Sequence, residues 1–289
     1  MTPEGTRLTE PTVVRTVAEL RRLRQGTGRT ALVPTMGALH AGHRNLIATA
    51  REHADTVLVS VFVNPLQFGP NEDYDRYPRD LDTDLAVCAE EGVDVVFAPS
   101  VAEMYPEEQI VTLDAGRMGK VLEGATRPGF FEGVLTVVSK LFHLVTPDVA
   151  VFGQKDAQQL AIVRRMTRDL AMPVTVVGAA TVRENDGLAT ASRNVYLTER
   201  ERASALALSR ALLAGADASV TGPVGIRDAA RRVLDEAAAG EPPVVLDYLA
   251  LVDAHTFTEV PDDYRGESVL SVAAWVGTTR LIDNVPLTL

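Results

Sequence analysis

The chain has 289 residues, 46% of them hydrophobic and 23% charged, enough for one large or two moderate cores. Its formal charge is 28 − 39 = −11 and Cys88 is its one cysteine. The acidic balance, with no strong basic patch, argues against a nucleic-acid partner; a single thiol excludes an intramolecular disulfide and a multi-cysteine metal site.

The N-terminal MTPEGTRLTEPT lacks the apolar run of a signal peptide, and no stretch of about 18 apolar residues follows, so no membrane role and a cytoplasmic location are expected. RRLR, Arg21 to Arg24, reads as one solvated helix face. TALVP (30–34) is the first clear strand, followed by a glycine- and histidine-bearing loop and the helix GHRNLIATAREHA. TVLVSVFV (56–63) is continuous and β-branched, as a strand covered on both faces should be. A helix through DLDTDLAVCAEEG follows, where Cys88 reads as a buried structural thiol; next come the strand DVVFAP and a helix through FEGVLTVVSKLFHLV. The strand VAVFG, the helix DAQQLAIVRRMTRDL and the strand VTVVGA complete a βαβ series, which implies a parallel sheet with right-handed crossovers.

After about Thr181 the pattern changes to two Ala-rich helices, near 199–214 and 225–239, and two strand-like runs, VVLDYLALVD and SVLSVAAWVG. The expected organisation is α/β: a Rossmann-like parallel-sheet domain over residues 1–184, then a smaller α+β domain over 185–289 covering the site. The boundary falls near residues 182 to 186.

Ligands of open parallel sheets sit outside the carboxyl ends of the strands, so the chemistry is sought there. The first strand exits into PTMGALHAGH. Gly37 and Gly42 allow close backbone approach, the next helix offers its first N–H groups to an anion, and His40 and His43 can aim two ring donors at phosphate. Zinc would need a third ligand, and His53, His143 and His255 lie on a helix beyond, in an apolar helix and in the far domain. No G-x-G-x-x-G follows the strand, the GTG at Gly26 to Gly28 comes before it, and G-x-x-x-x-G-K-[ST] is absent, which disfavours dinucleotide and Walker sites. FVNPLQFG carries the neutral amides Asn64 and Gln67, suited to a small polar substrate. Asp82 and Asp84 at the next helix start are candidate Mg²⁺ ligands, although acidic residues favour a helix N-terminus in any case. FGQKDAQQL supplies Lys155 beside Gly153 and Asp156, with Gln158 and Gln159 opening a helix; TASRN supplies Thr190, Ser192 and Arg193, a hydroxyl and guanidinium cluster suited to polyphosphate. A solvated lysine and a polar turn would look the same. LEGATRPGFFEG (122–133) reads as a mobile flap or a simple loop.

Taken together, PTMGALHAGH, SVFVNPLQFG, YPRDLDTD, LEGATRPGFFEGVLTVV, FGQKDAQQL, TVRENDGLATASRNVYL and GTTRLIDN closely resemble the pantothenate synthetase (pantoate–β-alanine ligase) family, from about Thr30 to Asn284. H-x-G-H alone marks only the wider nucleotidyltransferase superfamily. The resemblance implies an ATP-dependent ligase, with Mg²⁺, that makes pantothenate from pantoate and β-alanine through pantoyl adenylate, and a homodimer.

By position, Met36, Gly37, Ala38, Leu39, His40, Ala41, Gly42 and His43 match the family's ATP loop, with His43 its catalytic histidine. Gly153, Gln154, Lys155, Asp156, Val182, Thr190, Ala191, Ser192 and Arg193 match its other ATP contacts. Gln67 and Gln159 match the pantoate-binding glutamines, Gln67 also lying close to where β-alanine should arrive. Physically, His40, His43, Lys155 and Arg193 are expected to neutralise the charge that builds on the phosphates.

Three departures bear on the strength of ATP binding. Gln154 stands where the family has Glu, Thr190-Ala191-Ser192-Arg193 replaces Met-Ser-Ser-Arg, and Ala157 takes a position that is commonly aromatic. Two other readings share the loop: a cytidylyl- or adenylyltransferase, and a nucleotide-binding sensor that has lost turnover.

Overall fold

A computed structural model describes residues 10–23, 28–70 and 72–289. The first nine residues of the N-terminal stretch, together with Arg24 and Gly26 of the segments noted above, lie outside them. The described residues divide into two compact units: those up to 120, with 124–152 and 166–179, form one, and residues 121–123, 153–165 and 180–289 the other.

The first unit is built on a six-stranded sheet in the order β1-β4-β3-β2-β5-β6. Its strands are β1 (Thr12–Val14), β2 (Thr30–Thr35), β3 (Thr56–Val61), β4 (Val95–Phe97), β5 (Val149–Gly153) and β6 (Thr175–Ala179). The β1/β4, β4/β3, β3/β2 and β2/β5 pairings are parallel, as the expected βαβ series demands. Connections run through α1 (Val17–Leu23), α2 (Ala41–His53), α3 (Leu81–Glu90), α4 (Val101–Met104), α5 (Glu123–Thr126), α6 (Phe130–Val145) and α7 (Ala157–Asp169).

Central strands carry apolar side chains on both faces: Ala31, Leu32 and Val33 of β2 and Val57, Leu58 and Val59 of β3 are buried, as is Cys88 of α3. On α6, Phe131, Val134, Leu135, Val138, Leu141, Phe142 and Val145 recur at helical spacing and are all buried. Each such side chain contributes about 1.5–3 kcal/mol by leaving water. Hence the apolar VLVSVFV and VLTVVSKLF segments serve the core of this unit.

In the second unit α8 (Glu199–Asp217) and α9 (Gly222–Ala238) pack on an antiparallel sheet ordered β7-β8-β9: Val244–Asp253, Glu267–Val276 and Thr279–Thr288. Thr198 and Glu201 form a reciprocal capping box that starts α8, each side chain accepting from the other's backbone N–H. Ala205, Leu208 and Leu212 of α8, Ile226 and Leu234 of α9 and Leu251, Leu270 and Val272 of the sheet share one core. The sequence reading passed over β1 and β9: β1 is three residues long, and the polar centre of β9, Asp283-Asn284, breaks the alternation by which a strand is recognised. Among the described residues no helix is long and apolar enough to cross a membrane.

Candidate active site

The chain leaves β2 for β3 and β4 on one side and returns to β5 on the other, so strand order reverses at β2. Sheets of this kind bind ligands beyond the carboxyl end of the strand at the reversal. The segment at that place is the histidine loop.

Its backbone turns through left-handed conformations at Gly37 (φ 81°) and Ala38 (φ 52°). A Cβ on residue 37 would stand 2.6 Å from Asp84 Oδ2 and 3.1 Å from Val61 Cγ1, so both the turn and the packing require glycine. Thr35 Oγ1 donates to Ser60 O at 2.7 Å and accepts from Gly37 N at 3.2 Å. Asp84 is buried and accepts from Ala38 N at 3.1 Å and Leu39 N at 2.8 Å, one amide on each oxygen. Burial pushes its carboxyl above the ordinary value, against the pull of those two amides.

The histidines then close the loop on itself. His40 is the N-cap of α2 and its Nδ1 accepts from Gly42 N at 3.1 Å; His43 Nδ1 accepts from His40 N at 3.2 Å. Their ring centroids are 4.1 Å apart. An imidazole whose Nδ1 accepts a backbone N–H carries its proton on Nε2 when neutral. The sequence reading aimed the first amides of the helix at an anion. The structure engages one of them, Gly42 N, with His40, and holds the loop ahead of the helix through the N–H groups of Gly37, Ala38, Leu39 and His40.

Gln67 joins the histidine loop through Met36, whose Sδ accepts from Gln67 Nε2 at 3.1 Å. Behind it Asn64 is buried: its Nδ2 donates to Gln67 Oε1 and Gly133 O, both at 3.1 Å, while Oδ1 accepts from Tyr105 OH and Leu66 N. Asn64 therefore orients Gln67. Arg127 braces the same turn, donating to Gln67 O at 3.2 Å and to both oxygens of Glu72 at 2.7 and 2.6 Å. Gly133 permits α6 to reach the turn, since a Cβ there would lie 2.1 Å from Leu66 O. The segment read as a flap or loop is thus partly helical, as α5 and the start of α6, and Arg127 ties it down.

The second unit holds the remaining expected residues. Lys155 lies in a short 3₁₀ turn, Gln154–Asp156, with its Nζ 3.8 Å from Asp156 Oδ1. Asn284 of β9 donates from Nδ2 to Gln154 O at 2.9 Å and Lys155 O at 2.7 Å. At the start of α7 Gln158 is buried and bonds Glu123 N and Val121 O, while Gln159 is half-buried.

Glu123 in turn accepts from Arg280 at 2.9 and 2.6 Å and from Tyr248 OH at 3.0 Å. Desolvation, reinforced by Glu123, holds the Tyr248 hydroxyl far above its ordinary value and so protonated as a donor.

Val182 O accepts from Thr190 N at 2.9 Å, and Arg183 pairs with both oxygens of Asp283 at 2.7 and 3.1 Å. Thr190 Oγ1 is buried without a hydrogen-bond partner among the described residues. Ala191 precedes the 3₁₀ turn Ser192–Tyr196, which carries Arg193. Among the described residues no group of three or more His, Cys, Asp or Glu side chains could hold a metal ion. Asp84, a candidate Mg²⁺ ligand in the sequence, spends both oxygens on loop amides.

The Pantoate-beta-alanine ligase family model matches residues 12–286. The chain belongs to the pantoate-beta-alanine ligase family. It is 71% identical over 285 residues to the pantothenate synthetase of Thermobifida fusca, covering 96% of both chains. Its fold is similar to that of the Thermus thermophilus pantoate-beta-alanine ligase crystal structure, with TM-score 0.89, 49% identity and coverage of 95% and 98% of the two chains. It is also similar to the Francisella tularensis ligase solved with beta-gamma ATP and β-alanine, with TM-score 0.76, 30% identity and coverage of 95% and 97%.

Within this ligase, sequence reasoning reached the residues whose types announce chemistry. It missed the supports: the loop-holding part of Asp84, Asn64 behind Gln67, Arg127, and the Asp283–Asn284 pair. Only the inclusion of RLIDN among the family segments pointed to the last.

Proposed function

We propose a residue-level account of the ligase reaction. The enzyme condenses pantoate with β-alanine at the expense of ATP, giving pantothenate, AMP and pyrophosphate. A carboxylate resists attack by an amine because its leaving group would be oxide. In the first step the pantoate carboxylate attacks the α-phosphorus of ATP, the bond to the β-phosphate oxygen breaks, and pyrophosphate leaves. In the second the β-alanine amine attacks the acyl carbon of pantoyl adenylate and AMP leaves, the amine proton passing to solvent.

The observation that carries the assignment of roles is the histidine pair, each ring accepting a backbone N–H at Nδ1. In this reading both rings act as neutral Nε2–H donors to the phosphates, stabilising charge on the departing pyrophosphate without giving up a proton. Losing one such donor commonly costs about 10²–10³ in rate. Met36 and residues 37–42 shape the loop against ATP, and Lys155 and Arg193 add point and planar positive charge. Gly153, Gln154, Asp156, Val182, Ala191 and Ser192 line the rest of the nucleotide's path. Thr190 Oγ1, buried and without a partner among the described residues, is suited to replace the hydroxyl absent at Ala191. Gln67 and Gln159 hold pantoate, and Gln67 adjoins the β-alanine position.

Mg²⁺ enters this proposal with ATP and would be held mainly by the polyphosphate's own oxygens. No dedicated protein cage is assigned to it. A homodimer in the cytoplasm belongs to the same proposal.

The test is AMP release from ATP and Mg²⁺. AMP that requires both pantoate and β-alanine supports the ligase account. Pyrophosphate without AMP, in the presence of both, would replace it with a nucleotidyltransferase that uses another acceptor. ATP binding without turnover would replace it with a sensor.

A further inference from the structure

The lysine turn is held from the far end of the chain. Asn284 is buried, and its side-chain Nδ2 lies within hydrogen-bond distance of two main-chain carbonyls, Gln154 O at 2.9 Å and Lys155 O at 2.7 Å. Because both neighbours are acceptors, only the NH₂ end of the amide can face them, and both of its protons are spent there. The residue before it works on a second site segment. Asp283 is buried, takes the Arg183 guanidinium on both oxygens and also accepts from Asn284 N at 2.8 Å. Arg183 follows Val182 and is bridged to Ala189, next to Thr190. Two consecutive residues of β9 therefore fix the 154–155 turn and the 182–190 hairpin to one strand, in the second unit alone.

We propose that Asn284 is a positioning residue for Lys155, setting the turn's backbone so that the ammonium group meets the nucleotide's phosphates. This rests on the placement of Lys155 at ATP given above. The 3₁₀ turn is one turn long, and its N-cap residue, Gly153, has no side chain with which to cap it. The Asn284 amide is thus the side-chain tie on its carbonyls. A displacement of a charged group by about 1 Å can cost on the order of 10² in rate, so a buried donor that never touches substrate can matter as much as one that does.

The experiment is a double-mutant cycle on the full-length enzyme, with Asn284→Ala, Lys155→Ala and the pair, reading kcat and KM for ATP and for pantoate, with Tm alongside. The expected result is that Asn284→Ala lowers kcat/KM for ATP about 10–100-fold. In the Lys155→Ala background it should then cost less than about threefold. Asn284→Asp, which sets a carboxylate oxygen against two carbonyls, should be the more damaging single change.

Losses that multiply in the double mutant would overturn the inference, because a merely structural residue acts regardless of the lysine. An Asn284→Ala enzyme with wild-type ATP kinetics would overturn it too. Should Lys155→Ala itself leave ATP kinetics untouched, the underlying placement of Lys155 falls instead. If Asn284→Ala fails to fold, Asn284→Ser keeps a small donor at the site and must show the same dependence on Lys155.

Discussion

His40 and His43 illustrate how much a residue type reveals and where it stops. Two histidines flanked by glycines at a strand exit announce an anion site in the sequence, but a sequence does not say which ring nitrogen faces the ligand. Backbone N–H groups take both Nδ1 atoms, and the phosphate contact proposed above is therefore through Nε2. Asp84 runs the other way. Read from sequence it is an acidic helix start and a candidate metal ligand, whereas its neighbours in space are two amides of a loop more than forty residues away. That contact could not be read from spacing.

Asp84→Asn places an NH₂ against one of those N–H donors. Charged hydrogen bonds of this kind are worth about 1.5–3 kcal/mol, so kcat/KM for ATP should fall about 10–100-fold with the fold retained. Unchanged ATP kinetics would refute the loop-holding role, and a change confined to the Mg²⁺ requirement would return Asp84 to the metal. Ala191→Ser restores a hydroxyl beside Thr190 and should leave the KM for ATP equal or lower. A clear rise would show that the placement of residue 191, as a position where a hydroxyl helps the nucleotide, is wrong.

At the scale of elements, the long periodic segments were legible because burial alone fixes their pattern. β2, β3, β5 and α6 lie where the apolar runs put them. β9 was not legible, because Asp283 and Asn284 face partners that a strand pattern treats as solvent, and β1 was too short to carry a period. Cys88 follows the rule for buried thiols: at 0% exposure, desolvation first and Asp84 second push it up to about 12, so it stays protonated.

The turn after β7 offers a pH test. Partial desolvation disfavours the Asp253 carboxylate, but hydrogen bonds from Tyr264 OH, Thr256 N and Oγ1 and His255 N outweigh it and hold the carboxyl below its ordinary value. A lowered folded pKa contributes stability that is present above the unfolded value, about 3.9, and is lost as pH falls through the folded one. Asp253→Asn should therefore destabilise by about 1–2 kcal/mol at pH 7 and by progressively less below about pH 4. Denaturant melts at several pH values read this directly, and a deficit independent of pH would contradict it.

For the whole molecule, the βαβ series, the change of pattern after residue 181 and the family's segments in order gave the fold class and the reaction before any coordinates. What they could not give was the partition of the chain. The second compact unit takes residues 121–123 and 153–165 as well as the C-terminal stretch, through contacts such as Arg280 with Glu123 and Asn284 with Lys155. Residues separated by more than a hundred positions form those ties, and no local pattern encodes them.

In the reading proposed above, the histidine pair stabilises the departing pyrophosphate. Its most direct test is the first half-reaction, measured as pyrophosphate released from ATP, Mg²⁺ and pantoate without β-alanine in a single turnover. The wild type should show a burst, and His43→Ala a rate at least about a hundredfold lower with ATP still bound. A His43→Ala enzyme that forms pyrophosphate at the wild-type rate would contradict it.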